Sequence, residues 1–241
     1  MNKAIWLGIG ACLTILLTYS CNSGKKDEVT ADNFTDYFFP TDSVKPFIYV
    51  FQEQSNPLDE KFFRIYRMET QGEASLVVER FNASFRITEG FTHDLKDSLR
   101  VVDYMVVDKD GIKRKANVLS ARTFPFYDKD VAYFVADFPA HVDSLSMIYE
   151  SRRQIVETDL EREIFNQKRK VIKVVDSLKL HLVDPRTRMS NTQLIVTDRF
   201  YAKGLGLIEW GSDELKVRYR LTKILTDEWW SEFAQIPQVK M

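Results

Sequence analysis

Between Phe47 and Leu225, apolar and polar residues alternate with a period of two, the pattern of strands with one buried and one wet face. Val77, Phe81, Ala83, Phe85 and Ile87 fall on one side, and Arg80, Asn82, Ser84, Arg86 and Thr88 on the other. Ile172, Val174, Leu178, Leu180 and Leu182 repeat the pattern, as do Leu215, Val217, Tyr219 and Leu221 against Lys216, Arg218, Arg220 and Thr222. Turn-forming residues fall between these runs at Gln71-Gly72-Glu73, Asp108 to Gly111, Asn166-Gln167-Lys168, Lys203-Gly204 and Trp210 to Asp213, which predicts hairpins. Pro125, Pro139 and Pro185 are expected at strand ends or edges, where a missing donor costs little. Asp159 to Lys170 reads equally as a helix or a β-arm, and Thr226 to Phe233 as a C-terminal helical turn capped by Thr226 or Asp227. The predicted fold is all-β: a curved antiparallel meander of about ten strands forming a half-barrel or barrel, with minor helices.

The first 46 residues break this pattern. Lys3 precedes an apolar run from Ala4 to Leu17, and Thr18-Tyr19-Ser20 leads into Cys21. The run is shorter than the roughly 20 residues a spanning helix needs, and its flanks are those of a cleaved export signal. From Asn22 to about Pro46 the chain is polar, except for Phe34, Tyr37, Phe38 and Phe39. These rings predict a short docking segment, with one helical turn starting near Thr30 or Asp32. The expected organisation is therefore a signal over 1–20, a tether over 21–46 and one β-rich domain over 47–241.

Ser20-Cys21 resembles the lipobox of bacterial lipoproteins, in which a small residue precedes a cysteine that is acylated and becomes the N-terminus. Thr18 stands where that pattern usually has Leu, which leaves ordinary signal-peptidase cleavage open. The relaxed box is similar to lipoproteins of the Bacteroidetes group. There a Lys followed by two acids resembles a surface-export signal, matched here by Lys26, Asp27 and Glu28. The alternative for Lys25 to Glu28 is a solvated linker. The resemblance implies an outer-membrane protein, lipid-anchored through Cys21, on the periplasmic or cell-surface face. Cys12 would leave with the signal, so the mature chain would hold one cysteine and no internal disulfide, and acylation accounts for that lone thiol.

Composition narrows function mainly by exclusion. With 44% hydrophobic and 13% aromatic residues the chain is a folded protein. Its 34 basic and 35 acidic residues are interspersed, with no basic stripe for nucleic acid. Lys113-Arg114-Lys115 and Lys168-Arg169-Lys170 follow turn signals and read as solvated hairpin arms. His93, His141 and His181 are isolated, with no metal-ligand spacing, and no nucleophile elbow or phosphate-cradling loop is present. A scattered acid pair is the one catalytic device left open. The expected protein is not an enzyme and takes no cofactor or metal.

Asp-Ser-apolar recurs at Asp42-Ser43-Val44, Asp97-Ser98-Leu99, Asp143-Ser144-Leu145 and Asp176-Ser177-Leu178. One reading is a bend that opens a strand. The other is a similarity to the O-glycosylation motif of exported Bacteroidetes proteins, which requires Ser43, Ser98, Ser144 and Ser177 to be exposed. Phe200 to Trp210 resembles a Tyr-Ala-x-Gly-x-Gly-Leu hairpin of β-rich exported lipoproteins, themselves similar to the half-barrel of lipoprotein carriers. That implies structural roles for Tyr201, Gly204 and Gly206 and no catalytic residue. The aromatic clusters Phe47-Tyr49-Phe51, Phe62-Phe63-Tyr66, Phe124-Phe126-Tyr127 and Tyr133-Phe134-Phe138 either fill a core or line a cavity. Three functions follow: a binding module for a lipid or apolar ligand, an interaction subunit of an envelope protein complex, or a hydrolase with an unrecognised acid pair.

Overall fold

A computed structural model of the chain describes residues 33–41, 45–96, 99–108, 110–140, 145–184, 186–187 and 190–234. Cys21, Lys26, Asp27, Glu28, Thr30, Asp32, Ser43, Ser98, Ser144, His141 and Pro185 lie outside the described residues, as does the signal-like run. Among the described residues no helix is long and apolar enough to cross a membrane.

The period-2 pattern becomes a single 13-stranded antiparallel sheet. In chain order its strands are β1 (Phe47–Glu53), β2 (Glu60–Thr70), β3 (Glu73–Phe81), β4 (Ile87–Asp94), β5 (Val101–Val107), β6 (Lys113–Lys115) and β7 (Asn117–Ala121). There follow β8 (Val131–Pro139), β9 (Ser146–Ile164), β10 (Gln167–Val183), β11 (Ser190–Ala202), β12 (Gly206–Ser212) and β13 (Val217–Thr226), then a short helix, α1 (Asp227–Ala234). Sequence neighbours pair throughout except β6 and β7, and the one non-sequential pairing joins β1 to β13, from Phe47 opposite Thr226 to Glu53 opposite Tyr219. The two edges are β6 and β7, consecutive segments separated only by Ala116. The sheet is thus a nearly closed barrel that opens at one place.

Thirteen strands replace the expected ten partly because the run Val77 to Ile87 is not one strand. It is the end of β3, a turn over residues 82–86 and the start of β4, with Phe85 in the left-handed region at φ 56°. The assignment of its faces also reverses. Phe81 and Phe85 lie outside the barrel against Trp230 of α1, with ring centroids 4.6 and 5.7 Å apart. Arg80, expected in solvent, stands opposite Glu89 and beside core aromatics. Both faces of this hairpin are covered, so alternation alone did not say which one faced inward.

Asp159 to Lys170 is a β-arm. Leu160, Arg162 and Ile164 alternate with Glu161 and Glu163, and the turn at Phe165 and Asn166 has φ of 51° and 61°, as a tight hairpin needs. The turn expected at Trp210 to Asp213 lies later. Trp210 to Ser212 belong to β12, and Gly211 is there because a Cβ would stand 2.5 Å from the Val217 carbonyl. The turn expected at Asp176-Ser177 is also corrected, since both residues sit mid-strand in β10. The C-terminal helix forms where its caps predict.

Candidate functional site

The Tyr-Ala-x-Gly-x-Gly-Leu segment is a tight hairpin between β11 and β12, and it receives the N-terminal aromatic segment. Gly204 N–H donates to the Asp36 carbonyl at 2.7 Å, and Lys203 pairs with the Asp36 carboxylate at 3.3 Å. Gly206 has φ +88°, and a Cβ there would lie 2.7 Å from a ring atom of Phe39. Only glycine supplies both the left-handed backbone and the space. Tyr201 packs edge-on against Phe124 at 5.0 Å, and the Tyr49 hydroxyl donates to the Leu205 carbonyl at 2.6 Å. The three residues predicted to be structural here all meet the barrel's contents.

Those contents come from before the first strand. After a single 3-10 turn at Thr35–Tyr37, Phe38 and Phe39 enter the core; Phe34 and Tyr37 are buried with them. Phe38 contacts Phe124, His93 and Phe126 at 5.3, 5.3 and 6.3 Å between centroids, and Phe39 meets Tyr49 at 5.8 Å. Phe34 N–H donates to the Phe126 carbonyl at 2.8 Å, fixing where the segment enters. The expected docking segment is therefore a plug.

Beside the plug the interior is charged. Residues opposite one another in antiparallel strands share a face, so Asp176 of β10 stands with Arg153 of β9, and Val174 with Arg199 of β11. Asp176 Oδ2 accepts from Arg153 Nε at 2.8 Å and from Arg199 Nε at 3.0 Å, while Oδ1 accepts from the Ser151 hydroxyl at 2.7 Å. Arg153 Nη1 donates to the Thr123 carbonyl at 2.5 Å. Burial pushes the Asp176 carboxyl upward, but Arg153 and Arg199 outweigh it and hold the group below the usual carboxylate range. It stays ionised, the opposite of what a general acid needs.

Arg80 forms a second cluster. Its guanidinium lies 4.7 Å from the Phe63 centroid and 5.0 Å from that of Phe91, and its Nη1 donates to Glu89 at 2.6 Å. Glu89 also accepts from the Tyr104 hydroxyl at 3.0 Å. His93 completes the wall: Nδ1–H donates to the Leu99 carbonyl at 3.1 Å, and burial drops its pKa to about 4. A cavity of about 30 Å³ remains among Phe38, Phe39, Arg80, His93, Thr123 and Arg153. The sequence signalled these rings but not the charges, because single polar residues on an apolar face look like breaks in the pattern.

The remaining predicted positions scatter. Ser177 is half-buried on the outer face of β10, between Arg152 and Val196. His181 accompanies Thr192 and Glu150, far along β10 from Asp176. Glu209 is buried under Arg162, Arg218 and Arg220, at 3.1 to 3.2 Å. Among the described residues no group of three His, Cys, Asp or Glu side chains is placed to hold a metal.

Comparison with protein-family models, curated proteins and solved structures found no match. The reading of function therefore rests on this chain alone.

Proposed function

We propose that this protein is a non-enzymatic envelope lipoprotein, anchored through an acylated Cys21, whose barrel is a rigid interaction module for a protein partner. The observation that carries this reading is the filled interior. Between the aromatic plug and the ionic clusters about 30 Å³ is left, whereas sites for lipid-sized ligands run to about 300–1,000 Å³; space of that size lies in open clefts elsewhere, including one of about 610 Å³ beside Leu99 and Phe126. The outer face of the long strands supports it from the other side. Tyr133, Arg152, Ser177 and Val196 stand side by side across β8 to β11, and Tyr133, Leu194 and Val196 are exposed. Exposed rings and aliphatic groups among charges suit a partner surface.

The carrier reading retains one supporting feature. The plug is not a strand of the sheet, so its withdrawal would vacate an aromatic-lined interior. Native mass spectrometry of the mature chain in detergent, followed by solvent extraction, separates the two. A mass with no lipid beyond the acyl anchor is expected. A second lipid, stoichiometric and released on unfolding, would replace the interaction module with a carrier.

A further inference from the structure

We propose that the cavity among Arg80, Arg153, Arg199 and Thr123 is a binding site for one halide ion, chloride under cellular conditions. The site does not depend on which partner the outer surface meets.

Three observations support it. The first is charge. The ionised groups around the cavity are Arg80, Arg153, Arg199, Glu89 and Asp176, three cations against two anions. His93 is neutral near pH 7, and burial pushes the Tyr104 and Tyr149 phenols up, so neither brings a charge. One positive charge is left over inside a protein, where an unpaired charge is costly and a counter-ion is favoured.

The second is orphaned donors. Thr123 is 5% exposed and its Oγ1 has no partner, and Arg80 Nε is buried and also unpartnered. Both residues line the cavity, with Arg153, whose side chain is 8% exposed. Buried donors of this kind normally find an acceptor. The acceptors already present are committed, Asp176 to Arg153, Arg199 and Ser151, and Glu89 to Arg80 and Tyr104.

The third is size. About 30 Å³ admits one or two waters or a single monoatomic ion. A tetrahedral oxyanion or a carboxylate-bearing ligand does not fit without displacing Phe38 or Phe39. Guanidinium groups and a threonine hydroxyl are pure donors towards such an ion.

The test uses the mature chain in detergent, exchanged into sodium gluconate and melted as chloride replaces gluconate at constant ionic strength. Ligand linkage predicts that Tm rises by about 3–5 °C for each tenfold increase in chloride above its dissociation constant. Thr123→Val, nearly isosteric, should shrink that rise. Crystals grown in sodium bromide locate the ion without any variant, and one anomalous peak within hydrogen-bond reach of Thr123 and Arg153 is expected. An anomalous map with no bromide in the cavity would overturn the proposal, whatever the melts show, and would leave water there.

Discussion

His93 carries a pH dependence whose sign follows from its surroundings. Its ring lies between Phe38 and Phe91, and burial lowers its pKa from the model-compound value of 6.5 to about 4. The Leu99 carbonyl works against that shift, and the positive charges of Arg153 and Arg80 add to it. The unfolded chain therefore takes up this proton more readily than the folded one, and the neutral ring contributes fully only above about pH 6.5. Stability should fall as pH drops from about 6.5 towards 4, by about 3 kcal/mol from this group. Asp176, held low by Arg153 and Arg199, adds its loss only further down, below the normal carboxylate range. Urea melts of the native protein and of His93→Phe, taken at pH 4.5 and 7, isolate the histidine. The variant should lose most of the slope in that window, and equal slopes would refute the assignment.

At the scale of elements, the decisive junction is the β11–β12 hairpin and the plug it receives. Gly206→Ala would force an L side chain into the left-handed region and drive a methyl group into Phe39. Gly72 has a similar φ, +83°, but nothing lies within 4 Å of its would-be Cβ. Gly72→Ala should therefore cost only the backbone strain, about 1–2 kcal/mol. Gly206→Ala adds overpacking of about 1–3 kcal/mol and should loosen the plug. Limited proteolysis would then cut within residues 33–46 in the Gly206 variant and not in the Gly72 variant. Equal protection in both would show that the hairpin does not hold the plug. Much of this was legible in the sequence: the hairpin, its glycines and the four N-terminal rings all carried local signals. The face inversion at Arg80 and Phe81 was not, because α1 covers the outside of β1 to β3 with Trp230, and amphipathicity has no sign when both faces are dry. The charged interior was hidden for a related reason. Asp176 and Arg153 are 23 residues apart on neighbouring strands, and only register brings them together.

The whole molecule is a meander whose ends meet. β1 closes on β13, so among the described residues the free edges belong to β6 and β7, and both are short. Ala116 lies between them and donates its N–H to the Tyr104 carbonyl at 2.9 Å, which carries the chain from pairing with β5 to pairing with β8. The edge strand β6 reads Lys113-Arg114-Lys115, and charge on a short edge discourages another chain from adding to it. The basic triplet, read from sequence as a solvated arm, thus guards the barrel's one opening. This topology makes a prediction about dynamics. Strands paired on one side, with few buried apolar contacts, open before strands paired on both. Amide hydrogen exchange should be fastest in Lys113–Lys115 and Asn117–Ala121 among the strands, and slow in β1 and β13 although these are near the chain's two ends. If β1 and β13 exchanged first instead, the barrel would open at its termini, and the plug before β1 would be the part released. That second result would restore the carrier reading, because opening at that junction is the motion a stored lipid would require.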